Sequence, residues 1–157
     1  MPSFSGPHSI FNAASLNGKL DVAFTSATKG VTFTGTSSAD KVQFETGAAV
    51  LVDTIVFTTT NASTLANRDV YYGFVAGGTE DKINLSGLVL EGNKASIKTF
   101  GVASTDGASF EGHAIGRPGS NTVYVDTNND GVLNIATDLA FDLTGSVAAL
   151  TSTDFIF

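Results

Sequence analysis
From residue 20 to residue 44, apolar and polar positions alternate: Val22 and Phe24, Val31 and Phe33, Val42 and Phe44 are each flanked by polar neighbours. A period of two puts these six side chains on one face of an extended backbone, so the pattern predicts short, half-buried strands. The stretches between them, "SATKG", "GTSSAD" and "ETG", hold the small and polar residues that favour turns. Further strands are predicted over 69–75 ("DVYYGFV"), 81–87 ("DKINLSG"), 95–102 ("ASIKTFGV"), 122–125 ("TVYV"), 139–145 ("LAFDLTG") and 154–157 ("DFIF"). The run "AAVLVDTIVFTTT" (48–60) is more continuously apolar and reads as one or two central strands buried on both faces. Only "NASTLAN" (61–67) reads as a short helix. With no heptad, linker or composition break, the expectation is one all-β domain, a β-sandwich or β-roll-like module with short turns and at most one short helix.

Composition narrows the partners. A chain of 157 residues can bury a core without staples. It is 42% hydrophobic with 12 Phe, and no apolar run approaches the roughly 18 residues of a membrane helix. Eight basic against fifteen acidic residues give a net charge of -7, and Arg68 and Arg117 are the only arginines, which argues against nucleic acid as a partner. There is no Cys, so neither disulfides nor thiol chemistry contribute. The start "MPSFSGPHSIFNAASLNG" shows no basic region followed by an apolar core, hence no N-terminal signal peptide is expected.

The stretch 121–145, "NTVYVDTNNDGVLNIATDLAFDLTG", concentrates oxygen ligands between two apolar strands. Counted from Asp126, oxygen-bearing side chains fall at the first, third, fifth, ninth and twelfth positions (Asp126, Asn128, Asp130, Asn134 and Thr137), with Gly131 at the sixth. A hard cation takes six to eight oxygens, and a sharp turn at the sixth position lets a short segment wrap it. Thr137 replaces the usual twelfth-position Glu, and Asp138 follows it. The expected calcium site is therefore Asp126, Asn128, Asp130, the Val132 carbonyl, Asn134 and Asp138, with a dissociation constant on the order of 10⁻⁴ to 10⁻³ M. The same residues also make a plain Asn/Asp/Gly hairpin turn without metal. The flanking strands set the loop apart from an EF-hand, which needs helices.

In order along the chain, "GTSSADKV" (35–42), "DTIVFT" (53–58), "NRDVYYGFVAGGTEDKINLSGL" (67–88), "VYVDTNNDG" (123–131), "DLAFDLTG" (138–145) and "LTSTDFIF" (150–157) resemble the C-terminal module of RTX-type bacterial proteins. The resemblance covers roughly residues 35 to 157. It implies type I secretion with an uncleaved C-terminal signal, passage to the outside unfolded, and folding there when calcium binds. It also implies a weaker second calcium site at Asp69 and Asp81. The tandem glycine-rich nonapeptide of such proteins is absent, and a long stack of calcium ions is not expected.

Enzymatic chemistry finds little support. His8 and His113 are the only histidines, neither in a metalloprotease or nucleophile-elbow context, although His113 lies near Asp106 and Glu111. The sequence instead predicts a secreted calcium-binding structural protein that self-assembles into an extracellular layer, matrix or filament, as a homo-oligomer or homopolymer. The alternatives are a binding module for carbohydrate or a small ligand, with Tyr71, Tyr72 and Phe74 as a stacking face, or an accessory or inhibitor of an extracellular enzyme. Residues 1–34 hold two alternating strands preceded by Phe4, Ile10 and Phe11 among small residues. Such side chains dock somewhere, and a neighbouring subunit's groove is the expected place, making this end an intersubunit connector.

Overall fold
In the computed structural model, residues 2–6, 10–45, 51–58, 63–77, 81–88, 97–98, 115–116, 121–128, 130–144 and 150–157 are described. Their strands are β1 (Ser3–Gly6), β2 (Ile10–Asn12), β3 (Asp21–Ala27), β4 (Thr32–Thr34), β5 (Lys41–Gln43), β6 (Thr54–Val56) and β7 (Asp69–Tyr72). After these come β8 (Lys82–Asn84), β9 (Ile97–Lys98), β10 (Ile115–Gly116), β11 (Thr122–Val125), β12 (Leu139–Thr144) and β13 (Phe155–Ile156). From β1 to β9 the chain deals consecutive strands alternately to two sheets. One has the order β1-β3-β5-β7-β12-β11-β10-β9 and the other β13-β8-β6-β4-β2. From β1 to β8 every pairing within a sheet is parallel, and β12 and β13 join the same stack by parallel pairing to β7 and β8. The chain thus winds in coils, β1–β2, β3–β4, β5–β6, β7–β8 and β12–β13. Between the last two lies an excursion whose β11 runs antiparallel to β12.

The alternation in the sequence explains the winding. Each strand is too short to bury much alone, but the apolar position of one coil falls beside that of the next, and the stack shares one core. In one sheet the aligned row is Phe11, Phe33, Ile55, Ile83 and Phe155. In the other it is Val22, Val42, Tyr71 and Leu143, beside a pair formed by Phe4 and Phe24. Rows from the two sheets meet in a single cluster, where Phe24 stands 6.2 Å from Phe33 and Phe57 4.8 Å from Phe141. Each such side chain, fully buried, is worth roughly 1.5 to 3 kcal/mol.

The described residues are rich in β-strand, as expected. Apart from one 3-10 turn at Ser152–Asp154, the described residues contain no helix, and none is long and apolar enough to cross a membrane. Three expectations are corrected. The described part of 61–67 is a tight turn in which Thr64 bridges both Asn67 and Leu139; the Ser63 hydroxyl is bonded to Ala140 and Asp69, and such side-chain bonds compete with a helix. Within the described part of 48–60 the strand is Thr54–Val56. It is buried on one face, because Ile55 points inward while Val52 is half exposed. Residues 48–50, 59 and 60 lie outside the described residues. Finally, Phe4 and Phe11 dock on their own chain, their rings 5.4 Å apart and packed on Phe24, with Phe11 stacked on Phe33. The N-terminal strands therefore form the first coil of their own domain, and of the three apolar side chains only Ile10 is left exposed, at 75%.

Candidate metal site
Strands β11 and β12 pair with Val125 opposite Leu139. One step beyond that pair on either strand lie Asp126 and Asp138, at the neck of the 126–138 loop. Both are fully buried. Asp126 Oδ2 accepts the Gly131 N–H at 2.8 Å, and Gly131 sits at φ 76°, the left-handed conformation that glycine adopts without strain. Asp126 Oδ1 is buried and has no hydrogen-bond partner. Asp138 Oδ1 accepts the Thr127 N–H at 3.2 Å and its hydroxyl at 3.0 Å, while Oδ2 accepts the Asn134 N–H at 2.8 Å. Burial pushes the Asp138 carboxyl above its usual range, the Asn134 and Thr127 donors pull it down, and the charge of Asp126 adds to the rise.

The remaining predicted ligands ring the loop. Asp130 Oδ1 accepts the Val132 N–H and Oδ2 the Asn128 amide, while Asn128 Oδ1 accepts the Asp130 N–H and Asn134 Oδ1 that of Ala136. Leu133, wholly buried against Tyr124 and Ala140 with Leu65 alongside, pins the loop to the face of β11 and β12 turned away from the main core. The structure therefore brings Asp126 and Asp138 together and leaves Asn128, Asp130 and Asn134 at the exposed rim. Among the described residues, no three His, Cys, Asp or Glu side chains gather.

A cation fits this neck on chemical grounds. A buried carboxylate oxygen without a donor, next to a second buried carboxylate, is costly unless positive charge offsets it. The ion pair of Arg68 with Asp142 involves neither carboxylate. The loop supplies carboxylate and amide oxygens, which suit a hard cation such as calcium.

Asp69 and Asp81 belong to a different arrangement and are not brought together. Asp69 opens β7 in one sheet, and Asp81 directly precedes β8 in the other. Asp69 Oδ1 accepts the Asp40 N–H, and Asp40 Oδ1 in turn accepts the Leu20 N–H, each at 2.8 Å. In the opposite sheet Asp81 Oδ1 accepts the Asp53 N–H and Asp53 Oδ1 the Val31 N–H, at 2.8 and 2.7 Å. Each aspartate thus grips the backbone of the preceding coil just before its strand begins, forming one ladder in each sheet. Asp154 does similar work before β13, accepting from Gly77 and Thr151. Burial raises the Asp69 carboxyl to about 8, opposed by the Asp40 N–H. Asp53 is raised to about 7, again by burial first, with the charges of Asp81 and Glu45 adding to it. The Tyr71 hydroxyl, which donates to Asp69 Oδ2 at 3.0 Å, is itself pushed well up by burial.

The ladder roles of Asp40, Asp53 and Asp154 escaped the sequence reading. Their signal is present: "DKVQ", "DTIV", "DVYY" and "DKIN" each put Asp two residues before an inward apolar side chain, and "DFIF" puts it directly before the buried Phe155. Tyr71 and Phe74 are core residues and Tyr72 is half-buried, which leaves little of the expected stacking face. His8, Glu80, Asp106, Glu111 and His113 lie outside the described residues. Comparison of the chain with protein-family models and with curated proteins found no match.

Proposed function
We propose that this chain is a secreted calcium-binding structural protein, folded as a β-roll, that self-assembles outside the cell into a layer, matrix or filament. One observation carries the calcium reading: the buried, unpartnered Asp126 Oδ1 beside the buried Asp138. Asp126 and Asp138 would hold the ion, with Asn128, Asp130, Asn134 and the Val132 carbonyl as the loop oxygens nearest in sequence. Bound calcium would supply positive charge at the neck. The rest is the chain's own work: the Gly131 turn closes the loop, Leu133 anchors it, and Thr127 and Asn134 orient Asp138.

Self-assembly is supported by the edges of the roll. Among the described strands, β2 and β13 end one sheet; they carry Ile10 at 75% and Ile156 at 40% exposure, and Phe157, just past β13, is 41% exposed. Unpaired edges with apolar side chains are surfaces on which another copy can add a strand. The RTX-like motifs, "TSTDFIF" above all, point to type I secretion. Purified protein imaged by electron microscopy, with calcium and with EDTA, tests the whole reading. Ordered assemblies that depend on calcium are expected, whereas a protein monomeric in both conditions would refute the structural role.

A further inference from the structure
The turn at 63–67 lies between the candidate cation loop and one aspartate ladder, and it is bonded to both. Toward the loop, Thr64 bridges Leu139, the residue after Asp138. The Ala140 N–H donates to the Ser63 carbonyl at 3.0 Å, and the Ser63 hydroxyl donates to the Ala140 carbonyl. Leu65 packs on the Tyr124, Leu133 and Ala140 cluster that anchors the loop. Toward the ladder, the Ser63 hydroxyl accepts the Asp69 N–H at 2.9 Å. Asn67 reaches the turn before β5, accepting the Ala39 N–H at 3.1 Å and donating to the Ser37 carbonyl at 3.2 Å. Ser63 is completely buried, so its hydroxyl has no water to exchange with either partner.

We propose that Ser63 is a positioning residue that couples cation occupancy of the 126–138 loop to the order of the ladder Asp69, Asp40 and Leu20, and through it to the coils nearer the N-terminus. The inference rests on the cation reading above. Without an ion, the like charges of Asp126 and Asp138 push the neck apart and loosen Leu139 and Ala140 at the start of β12. The turn then loses its seat, and the Ser63 hydroxyl no longer fixes the Asp69 N–H. An ion draws Asp138 back, reseats the turn and tightens Asp69, whose Oδ1 holds the Asp40 N–H, while Asp40 Oδ1 holds that of Leu20. The element with two arrangements is the turn, docked on β12 or released from it.

Hydrogen exchange followed by NMR on the full chain, in calcium and in EDTA, tests this. The Gly131 amide reports binding at the loop, and the Asp40 and Leu20 amides report the ladder, since both keep their acceptors in a Ser63→Ala protein. In the wild type, calcium should raise protection at Asp40 and Leu20 about fivefold or more. In Ser63→Ala the Gly131 response should persist while that rise disappears, and an undiminished rise overturns the coupling. Should Ser63→Ala fail to fold, Ser63→Cys, whose thiol is a weak donor and acceptor, should reduce the rise at both Asp40 and Leu20, and an undiminished rise overturns the proposal equally. No calcium response at Gly131 in the wild type removes the cation reading and the coupling together, an outcome distinct from a Gly131 response with an unchanged ladder.

Discussion

Replacing Asp126 by Asn separates the two things that this side chain does. Asn keeps an oxygen for the Gly131 N–H, bonded at 2.8 Å in the wild type, and puts an amide where the unpartnered Oδ1 lies beside Asp138. Without calcium, relief of a buried, unsatisfied carboxylate next to another should stabilise the protein by about 1 kcal/mol. With calcium the sign reverses. At about 5 mM ion and a dissociation constant of about 10⁻⁴ to 10⁻³ M, binding to the folded state alone is worth about 1 to 2 kcal/mol. For a chain of this size that corresponds to a rise in melting temperature of about 2 to 8 °C, which Asp126→Asn should lose. Scanning calorimetry of both proteins in EDTA and in calcium reads all four values. The expected result is a crossing, with the variant melting above the wild type in EDTA and below it in calcium. A variant that melts lower by the same amount in both conditions would refute the reasoning, since the carboxylate would then be structural and indifferent to the ion.

The raised carboxyls predict an unusual dependence on pH. Asp69 near 8 and Asp53 near 7 hold protons in the folded state that the unfolded chain releases near pH 4. Their contribution is therefore fully present below about pH 4 and is lost as pH rises through about 7 and 8. Melting temperature in EDTA should fall from pH 4 to 8, and Asp69→Asn should flatten the upper part of that fall; a rise over the same range would contradict the ladder's protonation. Gly30 leads into β4 where an added Cβ would overlap the Val52 carbonyl oxygen, a backbone atom that cannot rotate away. Gly30→Ala should lower stability by about 3 kcal/mol in urea denaturation, and an unchanged midpoint would show that the turn has room to move.

Much of the inside and outside of this protein was legible in its sequence. The alternation of Val22 and Phe24, Val31 and Phe33, and Val42 and Phe44 marks an inward face, and all six side chains are buried, because a strand has only two faces and apolar area drives the choice. The loop at 126–138 was equally readable, since its ligand-type residues and Gly131 lie within one short segment. Pairing was not readable. Alternation of period two is the same for parallel and antiparallel neighbours, so nothing local revealed that β3 lies between β1 and β5 while β4 serves the other sheet. That arrangement is decided by which turns let apolar rows of distant coils align, as Phe11, Phe33, Ile55, Ile83 and Phe155 do. The same winding decided the fate of the charged and polar residues. Asp69 and Asp81, close in sequence, end in separate ladders, because each takes its partner from the coil before it in its own sheet. Phe4 and Phe11 fold back onto Phe24 and Phe33 because the second coil exposes apolar rings to which they are tethered, at an effective concentration that a neighbouring molecule does not match.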